Sequence, residues 1–228
     1  MTTPALPPLV AGGPVLAATG LIHRVQQPTT PGPHPAIVML HGRSGNEDVM
    51  WLLARALPTG CVVTTPRAIV PDADGGYAWH ARRPHEWPAV PQFDAAVAAV
   101  TQFVRALPFG YHVDPDRIYV MGFSQGAATA LATALQHPRL LRGVVSLVGF
   151  MPVGVDPLQA MAALAGLPVF MAVGQRDDVI PLAVAQAAAQ VLREAGAALT
   201  YREYDTGHKL SKHGITEVRQ WWTQQNLP

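Results

Sequence analysis

The chain has 228 residues, of which 49% are hydrophobic and 14% are charged, so it can bury a sizeable core and lacks the composition of a disordered protein. A formal charge of +1 and the absence of a long basic run argue against nucleic acid as a partner. The single cysteine, Cys61, excludes an intramolecular disulfide and a site built from several thiolates. We therefore expect one globular domain over residues 1–228.

The first residues give no targeting signal that can be recognised. No Lys or Arg precedes Arg24, and prolines and glycines interrupt the apolar stretch before it. No apolar run reaches the roughly 18 to 20 residues that span a bilayer. A soluble, cytoplasmic protein is expected, although a secreted protein without its signal would have the same composition. Monomer and homodimer are both compatible with the sequence.

Residues 1–20 predict an extended lead-in or a marginal edge strand, and strands then alternate with helices. The predicted strands are 21–26, 36–40, 61–65, 117–122, 142–148, 168–174 and 198–204, and the predicted helices are 46–56, 92–106, 125–136, 181–195 and 212–225. Several strands are almost continuously apolar, which is typical of a sheet covered on both faces. The pattern predicts an α/β fold with a mostly parallel, doubly wound sheet flanked by helices. Residues 75–91 are predicted to form a rim or lid loop.

A serine between two glycines, Gly122-Phe123-Ser124-Gln125-Gly126, separates one predicted strand from the helix that follows. A strand that turns abruptly into a helix strains its turning residue, and small neighbours two positions away let the chain segments pass. Ser124 is therefore the candidate nucleophile. A purely structural glycine-serine turn is the alternative.

Another strand ends at His41-Gly42-Arg43-Ser44-Gly45, where two glycines leave backbone N–H groups uncovered. The N–H of Arg43, together with that of Gln125 after the candidate nucleophile, would form an oxyanion hole. The alternative is a tight strand-to-helix loop without a chemical role.

Candidates for an acid and a base follow two later strands. Asp177 and Asp178 precede a helix that begins at a proline, and either could orient a histidine or merely cap that helix. His208 follows the last strand and is the candidate base, whereas His213 falls within the last predicted helix and is expected on the surface. The chain order serine, carboxylate, histidine suits nucleophilic hydrolysis.

Apolar residues near these strand ends could form a pocket for the substrate. We expect Trp79, Phe150, Met151 and Ile180 to contribute to it, although aromatic residues in loops also fill cores. The pair Arg82 and Arg83 is expected to be a solvated surface pair rather than a carboxylate-binding site.

From about residue 36 to the C-terminus the chain resembles the carboxylesterase/phospholipase family of α/β-hydrolases, which includes acyl-protein thioesterases and small bacterial carboxylesterases. The resemblance rests on Leu40-His41-Gly42, Pro66-Arg67, Gly75-Gly76-Tyr77-Ala78-Trp79, Gly122 to Gly126, Gly174 to Pro181 and Gly207-His208. It implies the α/β-hydrolase fold, Asp177 rather than Asp178 as the triad acid, and Arg43 and Gln125 as oxyanion donors. Ser44 departs from the family pattern, in which many members have glycine.

The resemblance implies hydrolysis of a small-molecule ester through an acyl-enzyme on Ser124, without a cofactor or metal. Short- to medium-chain acyl or aryl esters are the expected substrates. Thioesterase or lysophospholipase activity, another acyl transfer such as peptide cleavage, and a non-catalytic binding protein on the same fold remain alternatives.

Overall fold

The structure is a computed structural model that describes residues 5–83, 86–225 and 227. Its strands, in chain order, are β1 (Leu9–Val10), β2 (His23–Gln26), β3 (His34–Leu40), β4 (Val62–Pro66), β5 (Val70–Pro71), β6 (Tyr77–Ala78), β7 (Val113–Phe123), β8 (Gly143–Leu147), β9 (Pro168–Gly174) and β10 (Ala198–Tyr204). Eight of them form one sheet in the order β1-β2-β4-β3-β7-β8-β9-β10, and β5 pairs with β6. From β4 to β10 all neighbours in this sheet are parallel, whereas β1 and β2 pair antiparallel at one edge.

Helices cover both faces of this sheet. The α-helices are α1 (Pro14–Thr19), α2 (Asp94–Tyr111), α3 (Gln125–Gln136), α4 (Pro157–Leu164), α5 (Leu182–Glu194) and α6 (Lys212–Thr223), and Val49–Ala56 and Val90–Phe93 are 3-10 helices. In β3, Val38 and Leu40 pack into the core under α2, α3 and α5, whereas Ile37 and Met39 pack against α6 and the first 3-10 helix. Both faces of the strand are buried, which confirms the predicted doubly wound architecture. Of the helices in the described residues, none is long and apolar enough to cross a membrane.

The first 20 residues differ from the sequence prediction in part. β1 is the predicted edge strand, but α1 was predicted as extended chain. Pro14 begins this helix, since proline fits the first helical turn, and Val15 is buried. A Cβ on Gly110 of α2 would lie 2.2 Å from Val15 Cγ2, so α1 packs closely against α2 at this glycine. The six residues of α1 do not indicate this contact in the sequence.

Two long elements extend beyond their predicted bounds: α2 ends at Tyr111 rather than at 106, and β7 begins at Val113 rather than at 117. Other differences are short elements. The helix predicted over 46–56 is the 3-10 helix Val49–Ala56, and α4 and the β5–β6 pair were not predicted. Asp156 caps α4 by accepting a hydrogen bond from Gln159 N–H at 2.8 Å, a signal that the sequence does contain. Trp221 and Trp222 are buried between α6 and the sheet.

Two histidines on this scaffold are fully buried, His23 in β2 and His41 directly after β3. Each ring donates through Nδ1 to a nearby backbone carbonyl at 2.7 Å, because a carbonyl can only accept. His23 Nε2 accepts a hydrogen bond from the Tyr111 hydroxyl, and His41 Nε2 accepts one from the Ala68 N–H. Burial therefore lowers the pKa of both histidines below the ordinary value of 6.5.

The protein is expected to lose stability as the pH falls below about 6.5, the pKa of histidine in the unfolded chain. Below that pH the unfolded chain binds a proton at His23 and His41 while the folded chain does not. For each of the two histidines, the free energy of unfolding then falls by up to about 1.4 kcal/mol for every unit of pH. Above this pH the contribution of the histidines does not change with pH. Urea unfolding at pH values either side of about 6.5 measures the effect.

Two variants separate this effect from general acid destabilisation. His23→Gln keeps one donor and one acceptor without a titrating ring, so the pH dependence should become shallower. His112→Asn is the control, because His112 is exposed and its φ of 51° is a conformation that asparagine tolerates. Identical pH dependence in the wild type and His23→Gln would contradict the account.

Candidate active site

Ser124 lies at a strained turn between β7 and α3. Its φ of 53° and ψ of −118° place a non-glycine residue in left-handed backbone, and it is the residue that precedes α3. A Cβ on Gly122 would lie 2.3 Å from Gly126 O, and one on Gly126 would lie 2.2 Å from Leu40 O. The sharp turn therefore requires both glycines, as the sequence predicted. Strain of this kind concentrates at functional sites.

His208 and Asp177 are joined by a hydrogen bond at the same edge of the sheet. His208 Nδ1 donates to Asp177 Oδ2 at 2.7 Å. The other carboxylate oxygen, Oδ1, accepts the N–H groups of Val179 and Ile180 at 2.9 Å each. The Asp177 side chain is 1% exposed and fixed from both sides, whereas Asp178 is exposed.

Backbone contacts hold the two loops that carry this pair. Gln175 N–H donates to Tyr204 O at 2.8 Å, and Arg176 N–H donates to Thr206 O at 2.9 Å. A Cβ on Gly174, the last residue of β9, would lie 2.4 Å from Gly207 O. Glycine at this position therefore allows the loops after β9 and β10 to pack directly against each other.

The imidazole of His208 lies beside the turn that carries Ser124. Its ring packs edge-on against Phe123, with ring centroids 5.3 Å apart. In the described part of the chain, Ser124 Oγ and His208 share no hydrogen bond, so the structure brings these two residues to one place without joining them. His213, by contrast, lies on α6 with its side chain 74% exposed.

The two predicted oxyanion donors have free backbone N–H groups. The N–H groups of Arg43 and Gln125 form no hydrogen bond with any other residue that the structure describes. A Cβ on Gly42 would lie 3.4 Å from Ser124 Cβ, so the Arg43 loop packs against the turn. Ser44, which replaces the glycine of many family members, has a φ of 60°, the backbone region that favours glycine.

The side chain of Arg43 is bound by two carboxylates. Its guanidinium donates to Asp74 Oδ2 at 2.8 Å and to Asp72 Oδ1 at 3.3 Å. The preceding His41 ring receives the Ala68 N–H at 3.0 Å, which ties the loop to the residues after β4. These contacts fix the loop backbone.

The side chain of Gln125 has a second role that the sequence did not reveal. Its Oε1 accepts the Trp79 N–H at 2.8 Å, and its Nε2 donates to His80 O at 3.0 Å. One amide thus attaches the rim segment that contains Trp79 and His80 to the first residue of α3. The pairing joins positions 46 residues apart, so no local pattern indicates it.

A cleft of about 590 Å³ opens beside Ser124. Phe150 and Ile180, two of the residues expected to contribute to the substrate pocket, line this cleft. Trp79 and Met151 lie elsewhere than predicted: Trp79 is fully buried, its indole N–H donates to His41 O at 2.8 Å, and Met151 packs in the main core. The remaining lining residues are Arg43, His80, Arg82, Arg83, Glu86, Trp87, Pro88, Gln92, Ser124, Gln125, Asp178 and Val179.

The predicted rim loop over 75–91 contains Pro84 and His85, which lie outside the described residues. Of its other members, Trp87 stacks edge-on against Phe150 at a centroid distance of 5.4 Å. His80 packs against Phe93 at 4.5 Å, and burial lowers its pKa. In the described ranges, no cluster of three or more His, Cys, Asp or Glu side chains could hold a metal ion.

Comparison with known proteins identifies the family. Residues 22–225 match the sequence model of the phospholipase/carboxylesterase family. The chain belongs to this family. Membership agrees with the resemblance drawn from the motifs around Ser124, Asp177 and His208, and with the α/β-hydrolase fold.

Relatives of this phospholipase/carboxylesterase chain include plant enzymes. It is 30% identical over 145 residues to a probable carboxylesterase of Oryza sativa subsp. japonica. The matched segment covers 60% of this chain and 54% of the rice protein. It is 28% identical over 110 residues to carboxylesterase SOBER1 of Arabidopsis thaliana. This match covers 47% of this chain and 48% of the Arabidopsis protein. The matched part thus spans about half the length of these relatives. The crystal structure of the Bacillus cereus carboxylesterase superposes with a TM-score of 0.81 at 22% identity, over 92% of this chain and 97% of that one, and supports the fold.

Proposed function

We propose that this protein is a serine carboxylesterase that hydrolyses short- to medium-chain acyl or aryl esters through an acyl-enzyme on Ser124. The observation that carries the proposal is the strained turn of Ser124 beside the hydrogen-bonded pair His208 and Asp177. Such a turn presents a hydroxyl above the carboxyl ends of parallel strands, where substrates of this kind of sheet bind.

The hydrogen bond to Asp177 determines which nitrogen of His208 can act as the base. A carboxylate only accepts, so the proton is on Nδ1 and Nε2 carries a free lone pair. In the proposed reaction the Ser124 hydroxyl must come within hydrogen-bond reach of Nε2. As Oγ attacks the ester carbonyl carbon, Nε2 takes the hydroxyl proton, and Asp177 stabilises the imidazolium that forms.

Hydrogen bonds from the backbone N–H groups of Arg43 and Gln125 would stabilise the negative charge that develops on the carbonyl oxygen. Each such donor contributes on the order of 3 kcal/mol to transition-state stabilisation in other serine hydrolases. Gln125 is the first residue of α3, so the positive end of the helix dipole adds to this effect.

The second half of the reaction would use the same groups. His208 returns the proton to the leaving alcohol oxygen as the C–O bond breaks, which leaves an acyl group on Ser124. His208 then takes a proton from water as the water attacks that acyl carbonyl, and returns it to Ser124 Oγ on release of the carboxylic acid. The apolar lining of the cleft, with Phe150, Ile180 and Trp87, suits a hydrocarbon part of the substrate.

A substrate panel tests this proposal. The purified protein should be assayed with p-nitrophenyl acetate, butyrate, hexanoate and decanoate, with butyryl thiocholine as a thioester and with a p-nitroanilide as an amide. We expect kcat/KM to be higher for the oxygen esters than for the thioester or the amide. A clear preference for the thioester would favour the thioesterase alternative, and the absence of turnover on every substrate would contradict an enzyme of this class.

A further inference from the structure

The cleft beside Ser124 is lined by apolar, cationic and anionic residues. Trp87, Phe150, Val179 and Ile180 supply apolar surface, whereas Arg43, Arg82 and Arg83 supply guanidinium groups. Two carboxylates, of Glu86 and Asp178, also face the cleft. A lining that includes apolar and cationic residues suits a substrate that has both a hydrocarbon part and a negative charge.

The three guanidinium groups differ in their partners. That of Arg43 is hydrogen-bonded to Asp72 and Asp74, and Arg83 lies 3.9 Å from Glu86. Arg82 forms no hydrogen bond or ion pair with another residue in the ranges that the structure describes. It is exposed, and it also borders the adjoining depression that contains Asp72 and Asp74. Among the cationic residues of the cleft that the structure describes, Arg82 is thus the one without an anionic partner.

Contacts of Gln125 and His80 hold the segment that directly precedes Arg82. The Gln125 amide holds the backbone of Trp79 and His80, and Arg82 follows His80 by two residues. The His80 ring, packed on Phe93, further secures this segment. The loop therefore presents Arg82 to the same cleft that Ser124 lines.

We propose that the preferred substrate is an ester that carries a carboxylate, which binds Arg82 while the ester group lies at Ser124. This inference rests on the proposed esterase function. Arg82 and Arg83 are exposed, as the sequence predicted, and the inference adds a substrate contact for Arg82. A guanidinium binds carboxylate and phosphate alike. One unengaged cation, with Glu86 and Asp178 on the same cleft, matches the single charge of a carboxylate better than a phosphate dianion.

Pairs of esters that differ in one charge test this proposal. Mono-p-nitrophenyl adipate and p-nitrophenyl hexanoate place a carboxylate or a methyl group at the end of the same acyl chain. A second pair, 4-acetoxybenzoate and phenyl acetate, places the carboxylate on the leaving group instead. The measured quantity is the ratio of kcat/KM for the charged ester to that for its neutral counterpart.

In Arg82→Gln this ratio should fall about five- to tenfold for at least one pair, because a charge-assisted hydrogen bond is lost from a partly solvated site. Turnover of the neutral esters shows that the variant folds and provides the reference rate for the ratio. Arg82→Lys should recover part of the ratio, and salt should lower the wild-type ratio by screening. Arg219→Gln is the control, because Arg219 is exposed on α6 and outside this cleft.

An unchanged ratio for both pairs in Arg82→Gln, with neutral esters still hydrolysed, would overturn this inference and leave the esterase function intact. An equal fall of the ratio in Arg219→Gln would also overturn it, since a general loss of positive charge would explain the result. If neither the charged nor the neutral esters were hydrolysed, the proposed function itself would fail, and this inference with it.

Discussion

Ser124→Ala is expected to lower kcat for p-nitrophenyl butyrate by at least about 10⁴-fold, because without the nucleophile only oxyanion and binding interactions remain. The change removes one oxygen atom and keeps the Cβ, so the backbone strain at this position is unaltered. Ser124 makes no side-chain hydrogen bond to the start of α3, and the variant should therefore keep its stability within about 1 kcal/mol. Initial rates and urea unfolding of the same preparation measure both effects.

Ser146→Ala is the matched control for this prediction. Ser146 is a fully buried serine in β8 whose hydroxyl has no hydrogen-bond partner among the described residues, and it does not line the cleft. Its loss should leave kcat near the wild-type value. Wild-type turnover by Ser124→Ala would refute the proposed acyl-enzyme.

Asp177→Asn is expected to lower kcat by about 10³- to 10⁴-fold. The amide oxygen of the new side chain can still accept the Val179 and Ile180 N–H groups, which Asp177 Oδ1 accepts at 2.9 Å, and this leaves the NH₂ group facing His208 Nδ1. An NH₂ group donates, so Nδ1 would have to accept and the proton would move to Nε2. His208 could then no longer take the proton of Ser124.

Asp178→Asn tests the alternative acid with the same chemical change. Asp178 is exposed and lines the cleft, while the His208 hydrogen bond goes to Asp177. We expect Asp178→Asn to lower kcat for a neutral ester by less than about tenfold, which corresponds to about 1.4 kcal/mol. A larger loss in Asp178→Asn than in Asp177→Asn would reverse the assignment of the acid.

The sequence predicted the central sheet well because its strands are buried on both faces. The strands Pro168–Gly174 and Ala198–Tyr204 and the helix Gln125–Gln136 have the predicted bounds. Their patterns are local: a continuous apolar run for a covered strand, and an alanine-rich segment after the serine turn for α3. Parallel strands also bring their carboxyl ends to one edge, so residues distant in the chain could be predicted to lie together.

Features that depend on contacts between distant segments were not predictable in this way. The helix α1 is stabilised by packing on Gly110, and the side chain of Gln125 binds a loop 46 residues away. Trp79 was expected in the substrate pocket because it is an aromatic residue in a loop. Its indole N–H instead bonds to His41 O in the core, and a sequence does not distinguish these two environments.

Ser44 shows how the structure resolves a departure from the family pattern. The resemblance drawn from the sequence marked Ser44 as a departure from a family pattern in which many members have glycine. The structure keeps the left-handed φ of 60° with serine in place. A non-glycine residue in this region carries local strain of the order of 1 kcal/mol.

Labelling with a fluorophosphonate tests most directly whether Ser124 is an activated nucleophile. Its phosphorus accepts Oγ as fluoride leaves, and the intact mass and peptide map then locate the adduct. We predict one adduct, on Ser124 in the wild type, with none on Ser124→Ala and a much slower reaction in His208→Ala. An unlabelled wild-type protein, or labelling of Ser124 that is equally fast without His208, would contradict the account.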